Sequence, residues 1–126
     1  MIAQHSVRRV LPQYCCRDDS AKRLIDRLDK RFTPLHYYTE FPLYYTTDDG
    51  QVVSGWIDLL IETPEGFVLI DHKASPRARS DWEEIALGYS GQLDAYSEGI
   101  TRATGKLVAS RWIHFAVTGG MVEVTG

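Results

Sequence analysis

Asp58, Asp71 and Lys73 are the residues of this chain whose types and spacing could do chemistry. Asp58 sits in the run Gly55-Trp56-Ile57-Asp58-Leu59-Leu60, and twelve residues after it comes Asp71-His72-Lys73 at the end of a second apolar run. Two carboxylates on adjacent apolar runs, with a lysine two places past the second, make a site for a hard divalent cation and a hydrolytic water. Burying like charges side by side is unfavourable without compensation, which is why such pairs mark metal or catalytic centres. Oxygen ligands alone favour Mg2+, with Mn2+ as a substitute. The main-chain carbonyl of His72 would be a third protein ligand, and water would complete the octahedron. Lys73 would position the attacking water and lower its pKa, while the cation polarises a phosphate. Taken singly, each Asp reads as a turn or cap residue, and Asp71 with Lys73 as a surface ion pair worth under about 1 kcal/mol. The joint arrangement is what favours the chemistry.

Those side chains need strands to carry them. Ile57 to Ile61 alternates between two faces, so Asp58 should look away from Ile57 and Leu59, and in the next run Asp71 and Lys73 share a face that His72 does not. A turn at Thr63-Pro64-Glu65-Gly66 pairs the runs as a hairpin. Asp58 and Asp71 each lie about seven residues from its centre, so Asp58 falls opposite Asp71 or Lys73.

Elsewhere the pattern predicts a helix over 20–32, N-capped by Ser20, with Leu24, Ile25, Leu28 and Phe32 at helical spacing and Pro34 as its stop. Tyr37 to Thr46 and Gln51 to Ile61 read as strands joined at Asp48-Asp49-Gly50, and Phe67 to Ile70 as a third. Ser80-Asp81-Trp82-Glu83 fits a capping box, with a helix onward to about Thr101 despite Gly88 and Gly91. Trp112 to Val117 and Met121 to Val124 follow as strands around Gly119-Gly120. This order predicts an α/β fold, a central mixed sheet flanked by helices.

The 126 residues, 44% hydrophobic and 25% charged, make one domain able to bury a core. Its net charge of −3 is unevenly spread: eight Lys/Arg against four Asp over 1–35 give +4, and six against thirteen acids over 36–126 give −7. A basic helical lead that meets phosphate, ahead of an acidic core that needs cations, accounts for the division, though a solvated helix face would carry the same charges. There is no apolar run of about 18 residues and no h-region after Met1, so a soluble, cytoplasmic protein without a membrane partner is expected. Cys15 and Cys16 cannot supply the four thiolates of an iron–sulfur cluster and read as reduced thiols. No Walker A loop is present, so the chain is no motor by itself.

On the second helix Tyr89, Gln92 and Tyr96 lie at i, i+3 and i+7 and form one stripe. An amide flanked by phenols suits contact with phosphate and base, and core packing of amphipathic tyrosines is the other reading of the same stripe. Glu40 could reach a metal through water or merely end an edge strand beside Pro42. His36 and His114 have no partner spacing and read as packing or surface residues.

The segments GWIDLL, IDHKAS and GYSGQLDAYSEGI resemble the RecB/AddA-type nuclease domain of the PD-(D/E)xK superfamily. Glu40-Phe41-Pro42-Leu43 is similar to that family's Glu-x-Pro strand ahead of its Gly-x-x-Asp motif, and the resemblance covers about residues 38 to 125. It implies a restriction-endonuclease-like core, Asp58 and Asp71 as metal ligands, Lys73 as the catalytic lysine, and Gln92 and Tyr96 in the place of a Gln-x-x-x-Tyr motif. It also implies a Mg2+-dependent deoxyribonuclease, an exonuclease ahead of an endonuclease. Such an enzyme works on DNA ends in recombination and repair with a helicase motor in the same or a partner polypeptide. Two departures stand out: only His5 could fill the place of the family's upstream histidine ligand, at a short spacing, and His72 replaces the usual Tyr of Asp-x-Lys. Two other readings remain open on the same fold. One is a catalytically silent DNA-binding or interaction module, against which intact Asp58, Asp71 and Lys73 speak. The other is a small stand-alone phage or restriction-type nuclease.

Overall fold

The computed structural model describes residues 6–11, 20–74, 78–115, 117 and 119–125, with residues 20–25 described by their backbone alone. His5, Cys15, Cys16 and Pro76 therefore lie outside the described residues, as do the capping role of Ser20 and the packing of Leu24 and Ile25. The elements in chain order are β1 (Ser6–Leu11), α1 (Ser20–Phe32), β2 (His36–Thr46), β3 (Val52–Thr63), β4 (Gly66–Lys73), a 3-10 turn (Arg79–Asp81), α2 (Trp82–Gly88), α3 (Ser90–Thr104), β5 (Val108–Phe115) and β6 (Gly120–Thr125).

The strands form one sheet in the order β1-β6-β5-β4-β3-β2, antiparallel except for the parallel pair β4 and β5, which the crossover through α2 and α3 connects. Each face carries its own core. On one, Leu28 of α1 packs into Leu59, Ile61, Val68, Ile70, Trp112 and Met121, with Phe32 edge-on to Trp112 at 5.8 Å. On the other, Trp82, Ala86, Leu93, Tyr96 and Ile100 of α2 and α3 cover Leu60, Leu69, Ile113 and Val122. This is the expected mixed sheet flanked by helices.

Turn chemistry sets the registers. Between β3 and β4 only Pro64 and Glu65 intervene, so Thr63 pairs with Gly66 and Leu59 with Ile70. Gly66, at φ +133°, has room for no Cβ, which would stand 2.6 Å from the Leu107 carbonyl oxygen. Helix α1 ends at Phe32, and Thr33, with a φ of +48°, turns the chain left-handed just ahead of Pro34.

Several expectations need correction. Residues 6–11, read within a helical lead, form edge strand β1 against β6; a register shift between Val7 and Arg9 breaks the period-2 pattern that would have shown it. The capping box does not form, because Ser80 lies inside the 3-10 turn and the N-cap of α2 is Asp81, without a side-chain capping bond. Finally, the helix expected to run unbroken to about Thr101 is two helices parted at Tyr89. Gly88 and Gly91 flank the break, where helix propensity is lowest, and the Ser90 hydroxyl donates to the Leu87 carbonyl at 2.7 Å. The fourth strand also begins earlier than expected, at Val108, and ends at Phe115.

Candidate active site

Strand β3 carries Asp58 at a fault in its own ladder. The pairs Thr39–Leu59 and Phe41–Ile57 bracket Glu40 and Asp58, which do not pair, and Glu40 has φ +49°. A non-glycine residue there is strained, a cost that persists where the surroundings over-determine it. One residue is skipped on each strand, so the register is kept while the faces exchange. Ile57 accordingly joins Leu60 under α3, whereas Leu59 faces α1. Simple alternation, which put Ile57 and Leu59 on one side of Asp58, is thereby corrected.

The fault turns Asp58 toward β4, where its Oδ2 accepts the His72 backbone N–H at 2.8 Å. Opposite lies Asp71, 6% exposed. Lys73, on the same face, brings Nζ to 2.9 Å from Asp71 Oδ2, and the Tyr89 ring closes over that ammonium at 3.8 Å from its centroid. Among the described residues Asp71 Oδ2 has no hydrogen bond of good geometry, so the Lys73 contact is an ion pair that leaves a shielded oxygen undersatisfied. Asp58, Asp71 and Lys73 thus converge on one hairpin end.

The electrostatics follow from this crowding. Burial pushes the Asp71 carboxyl above its ordinary range; the Lys73 ammonium opposes the shift, and the neighbouring Asp58 carboxylate adds to it. Burial pulls Lys73 the other way but is outweighed by its close contact with the Asp71 carboxylate and that group's charge, and by Tyr89 and Asp58, so its pKa is raised. Lys73 is an ammonium at neutral pH and can donate hydrogen bonds but not accept a proton. His72 is pushed down by burial. Its Nδ1 lies 2.8 Å from Nδ1 of His114, a residue on β5 that is 1% exposed, and this contact needs one ring to donate and the other to accept.

The donor set suits a hard cation. Asp58 and Asp71 present carboxylate oxygens, the undersatisfied Asp71 Oδ2 faces the Lys73 ammonium, and His72, whose N–H holds Asp58, lies between Asp71 and Lys73 in the chain. Among the described residues no group of three or more His, Cys, Asp or Glu side chains is placed to hold a metal ion. Glu40 flanks the fault but is exposed and belongs to no such group.

The second motif meets the first. Gln92 Nε2 donates to Tyr96 Oη at 3.0 Å, and Tyr96 is 8% exposed, within the α3-side core. That hydroxyl fills the space a side chain on Gly55 would need: a Cβ there would stand 2.4 Å from Tyr96 Oη. The glycine three residues before Asp58 is thus the contact point for the tyrosine of α3. His114, which reads from the sequence as a packing or surface residue, is buried, and its meeting with His72 depends on a parallel register that no local signal encodes.

The six-stranded mixed sheet with helices on both faces is a restriction-endonuclease-like α/β fold. The profile of the PD-(D/E)XK nuclease superfamily matches residues 5–123, and the chain belongs to that superfamily as a nuclease domain. It is 28% identical over 117 residues to a subunit of an ATP-dependent helicase/nuclease from Clostridium botulinum (strain 657 / Type Ba4), covering 86% of this chain and 9% of that protein. The protein of the same name from Clostridium novyi (strain NT) is 28% identical over 102 residues, 75% of this chain and 8% of its own length. That of Pelotomaculum thermopropionicum is 31% identical over 66 residues, 52% and 5% respectively. The chain spans less than a tenth of the length of these relatives. Among the described residues no helix is long and apolar enough to cross a membrane.

Proposed function

We propose that this chain hydrolyses DNA phosphodiester bonds with Mg2+, Mn2+ substituting, as the nuclease part of a cytoplasmic helicase–nuclease that trims DNA ends in recombination and repair, an exonuclease ahead of an endonuclease. The observation that carries the reading is the convergence of Asp58, Asp71 and Lys73, with a shielded Asp71 oxygen that, among the described residues, has only the Lys73 ion pair. The helicase partner is supported by the names of the relatives, which span far more chain than this one.

Asp58, Asp71 and the His72 carbonyl would hold the cation, which would polarise the phosphate and offset its charge. The chain's own residues do the positioning. The Asp58 carboxylate is fixed by the His72 N–H, so the hairpin end is rigid before substrate arrives. Lys73, pinned between Asp71 and the Tyr89 ring, donates a hydrogen bond to the attacking water and favours the hydroxide form as that water loses its proton to solvent. The water oxygen bonds to phosphorus as the bond from phosphorus to the ester oxygen breaks, and that oxygen takes a proton from solvent, so that a phosphomonoester and an alcohol result. Gln92 and Tyr96 hold α3 against Gly55 and align the hairpin with the DNA.

A nuclease assay tests this on linear single- and double-stranded DNA with Mg2+, with Mn2+ and with chelator. Cleavage with either cation, and its loss in chelator and in Asp71→Ala, is the expected result. Binding of DNA without cleavage under every condition would instead identify a silent module.

A further inference from the structure

Tyr89 reads in the sequence as one of a stripe with Gln92 and Tyr96, which requires a single helix through all three. The structure parts α2 from α3 at this residue, so Tyr89 is the N-cap of α3, with φ −99° and ψ 4°, outside the helical register of the other two. Its ring meets Lys73 instead, with Nζ 3.8 Å from the ring centroid.

The break is built rather than loose. The Tyr89 N–H donates to the Ala86 carbonyl and the Tyr89 carbonyl accepts the Leu93 N–H, both at 3.0 Å, while the Ser90 hydroxyl donates to Leu87. On one side Trp82 anchors α2: it stacks on Phe115 at 5.0 Å, and Phe115 is the β5 residue that pairs with Lys73. Gly120 admits that indole, since a Cβ there would stand 2.2 Å from it. On the other side Leu93, 1% exposed, seats the start of α3 in the core. Two packed helices thus carry the phenol to the lysine.

From this geometry we propose that Tyr89 is the positioning residue for Lys73 in phosphodiester hydrolysis, its ring face holding the ammonium where it meets the attacking water. The proposal rests on the nuclease reading and adds a residue to it, in place of a contact between Tyr89 and DNA. Asp71 alone serves poorly as the anchor of Lys73, because the same carboxylate is a candidate cation ligand. A further carboxylate would compete for the cation in the same way. An aromatic face attracts the ammonium through its quadrupole and brings no second anion to the site. Of the three ammonium donors one is directed at Asp71 and one at the ring, which leaves the third for water. The Lys73 side chain is 23% exposed, open enough for that water to reach it.

The test separates a hold on the lysine from contact with DNA and from packing. Tyr89→Phe keeps the ring face and Tyr89→Leu removes it. Under single turnover on saturating linear DNA with Mg2+, the first should retain most of the wild-type rate and the second should lose on the order of ten-fold. Phenylalanines of increasing ring fluorination at position 89 should lower the rate step by step at nearly constant shape, because fluorine depletes the negative face that attracts the ammonium. DNA affinity in chelator should stay at the wild-type value throughout. A second readout needs no cleavage. The lysines of the chain are Lys22, Lys30, Lys73 and Lys106, and with isotope-labelled ε-methylenes one magnetic-resonance signal should be shielded by the ring, vanish in Lys73→Arg and return to the ordinary range in Tyr89→Leu. A rate unaltered in Tyr89→Leu, or indifferent to fluorination, overturns the proposal and leaves Tyr89 to packing. Weakened DNA binding with an unchanged rate at saturation also overturns it and returns the ring to the DNA. An active wild type without the shielded signal fails the proposal alone, and an inactive wild type that shows the signal and loses it in Tyr89→Leu fails the nuclease reading alone.

Discussion

The Tyr96 hydroxyl occupies the position from which a Gly55 side chain is excluded, and this contact ties the strand of Asp58 to the helix of Gln92. Gly55→Ala should therefore drive a methyl group into the phenol and displace either α3 or the hairpin, costing about 1–3 kcal/mol as overpacking does. Tyr96→Phe removes the obstructing oxygen. Combined with Gly55→Ala it should restore part of the loss, which a double-mutant cycle from denaturant melts measures. Strictly additive effects would mean that the contact is not what fixes a glycine at 55.

Asp58, Asp71 and Lys73 should behave as a unit. Alanine at any one of them should abolish most cleavage while the domain stays folded, and double variants should be little worse than singles, since each removes the same assembled site. Single-turnover rates on linear DNA, with circular dichroism for folding, check this. A Lys73→Ala protein that cuts at the wild-type rate would remove lysine from the mechanism.

Gln92 bonds Tyr96 from a half-buried position, so the amide has capacity left for DNA, whereas Tyr96 is core. Gln92→Ala should lower cleavage or DNA affinity with a stability loss of about 1 kcal/mol, the net value of one hydrogen bond. Tyr96→Ala should cost several times more, about 3–5 kcal/mol, as large-to-small aromatic core changes do. Thermal melts alongside affinity measurements separate the two. A strong fall in melting temperature for Gln92→Ala, with unchanged activity of the folded fraction, would show that the amide serves packing.

What was legible from residues alone was whatever a short-range rule controls. The two-residue turn at Pro64 and Glu65 fixes the β3–β4 register, so the approach of Asp58 to Asp71 could be counted out in advance. Period-2 alternation placed Asp71 with Lys73 on one face. What escaped depends on longer-range or backbone effects. Nothing in the letter Glu announces the positive φ of Glu40, so the exchange of faces at Asp58 was hidden. The register shift in β1 disguised a strand, and the meeting of His72 with His114 follows from a crossover through two helices. Ser80 fitted a capping box locally, but the 3-10 turn placed Asp81 at the helix start.

Without a cation, Asp71 sets the sign of one pH effect. Its pKa is raised on folding, chiefly by burial, so over the window from the ordinary carboxylate range up to the raised folded value the native state binds more protons than the unfolded chain. Stability from this group is full at low pH and falls as pH rises through the folded pKa. Asp71→Asn cannot ionise, so its stability relative to wild type should grow as pH rises from the ordinary carboxylate range through the raised folded pKa in chelator. Denaturant melts across that range test the difference. A constant gap between the two proteins would mean that Asp71 titrates alike in both states.

Divalent cation should reverse that penalty. An ion that binds only the folded state stabilises it by RT ln(1 + [L]/Kd), about 1.4 kcal/mol at ten times Kd. For a domain of this size the melting temperature should rise by roughly 4–7 °C. Mg2+ and Mn2+ should both act, since the site offers oxygen donors alone. Asp58→Asn keeps the shape, and its amide oxygen can still accept the His72 N–H, but it deletes a charged ligand. It should therefore lose most of the cation's stabilising effect while melting close to wild type in chelator. Melts at constant ionic strength distinguish this from general screening, because screening acts on both proteins alike. Equal stabilisation of wild type and Asp58→Asn would place the cation away from the aspartate pair, and the hydrolytic role of Asp58 would then have to rest on its bond to His72 alone.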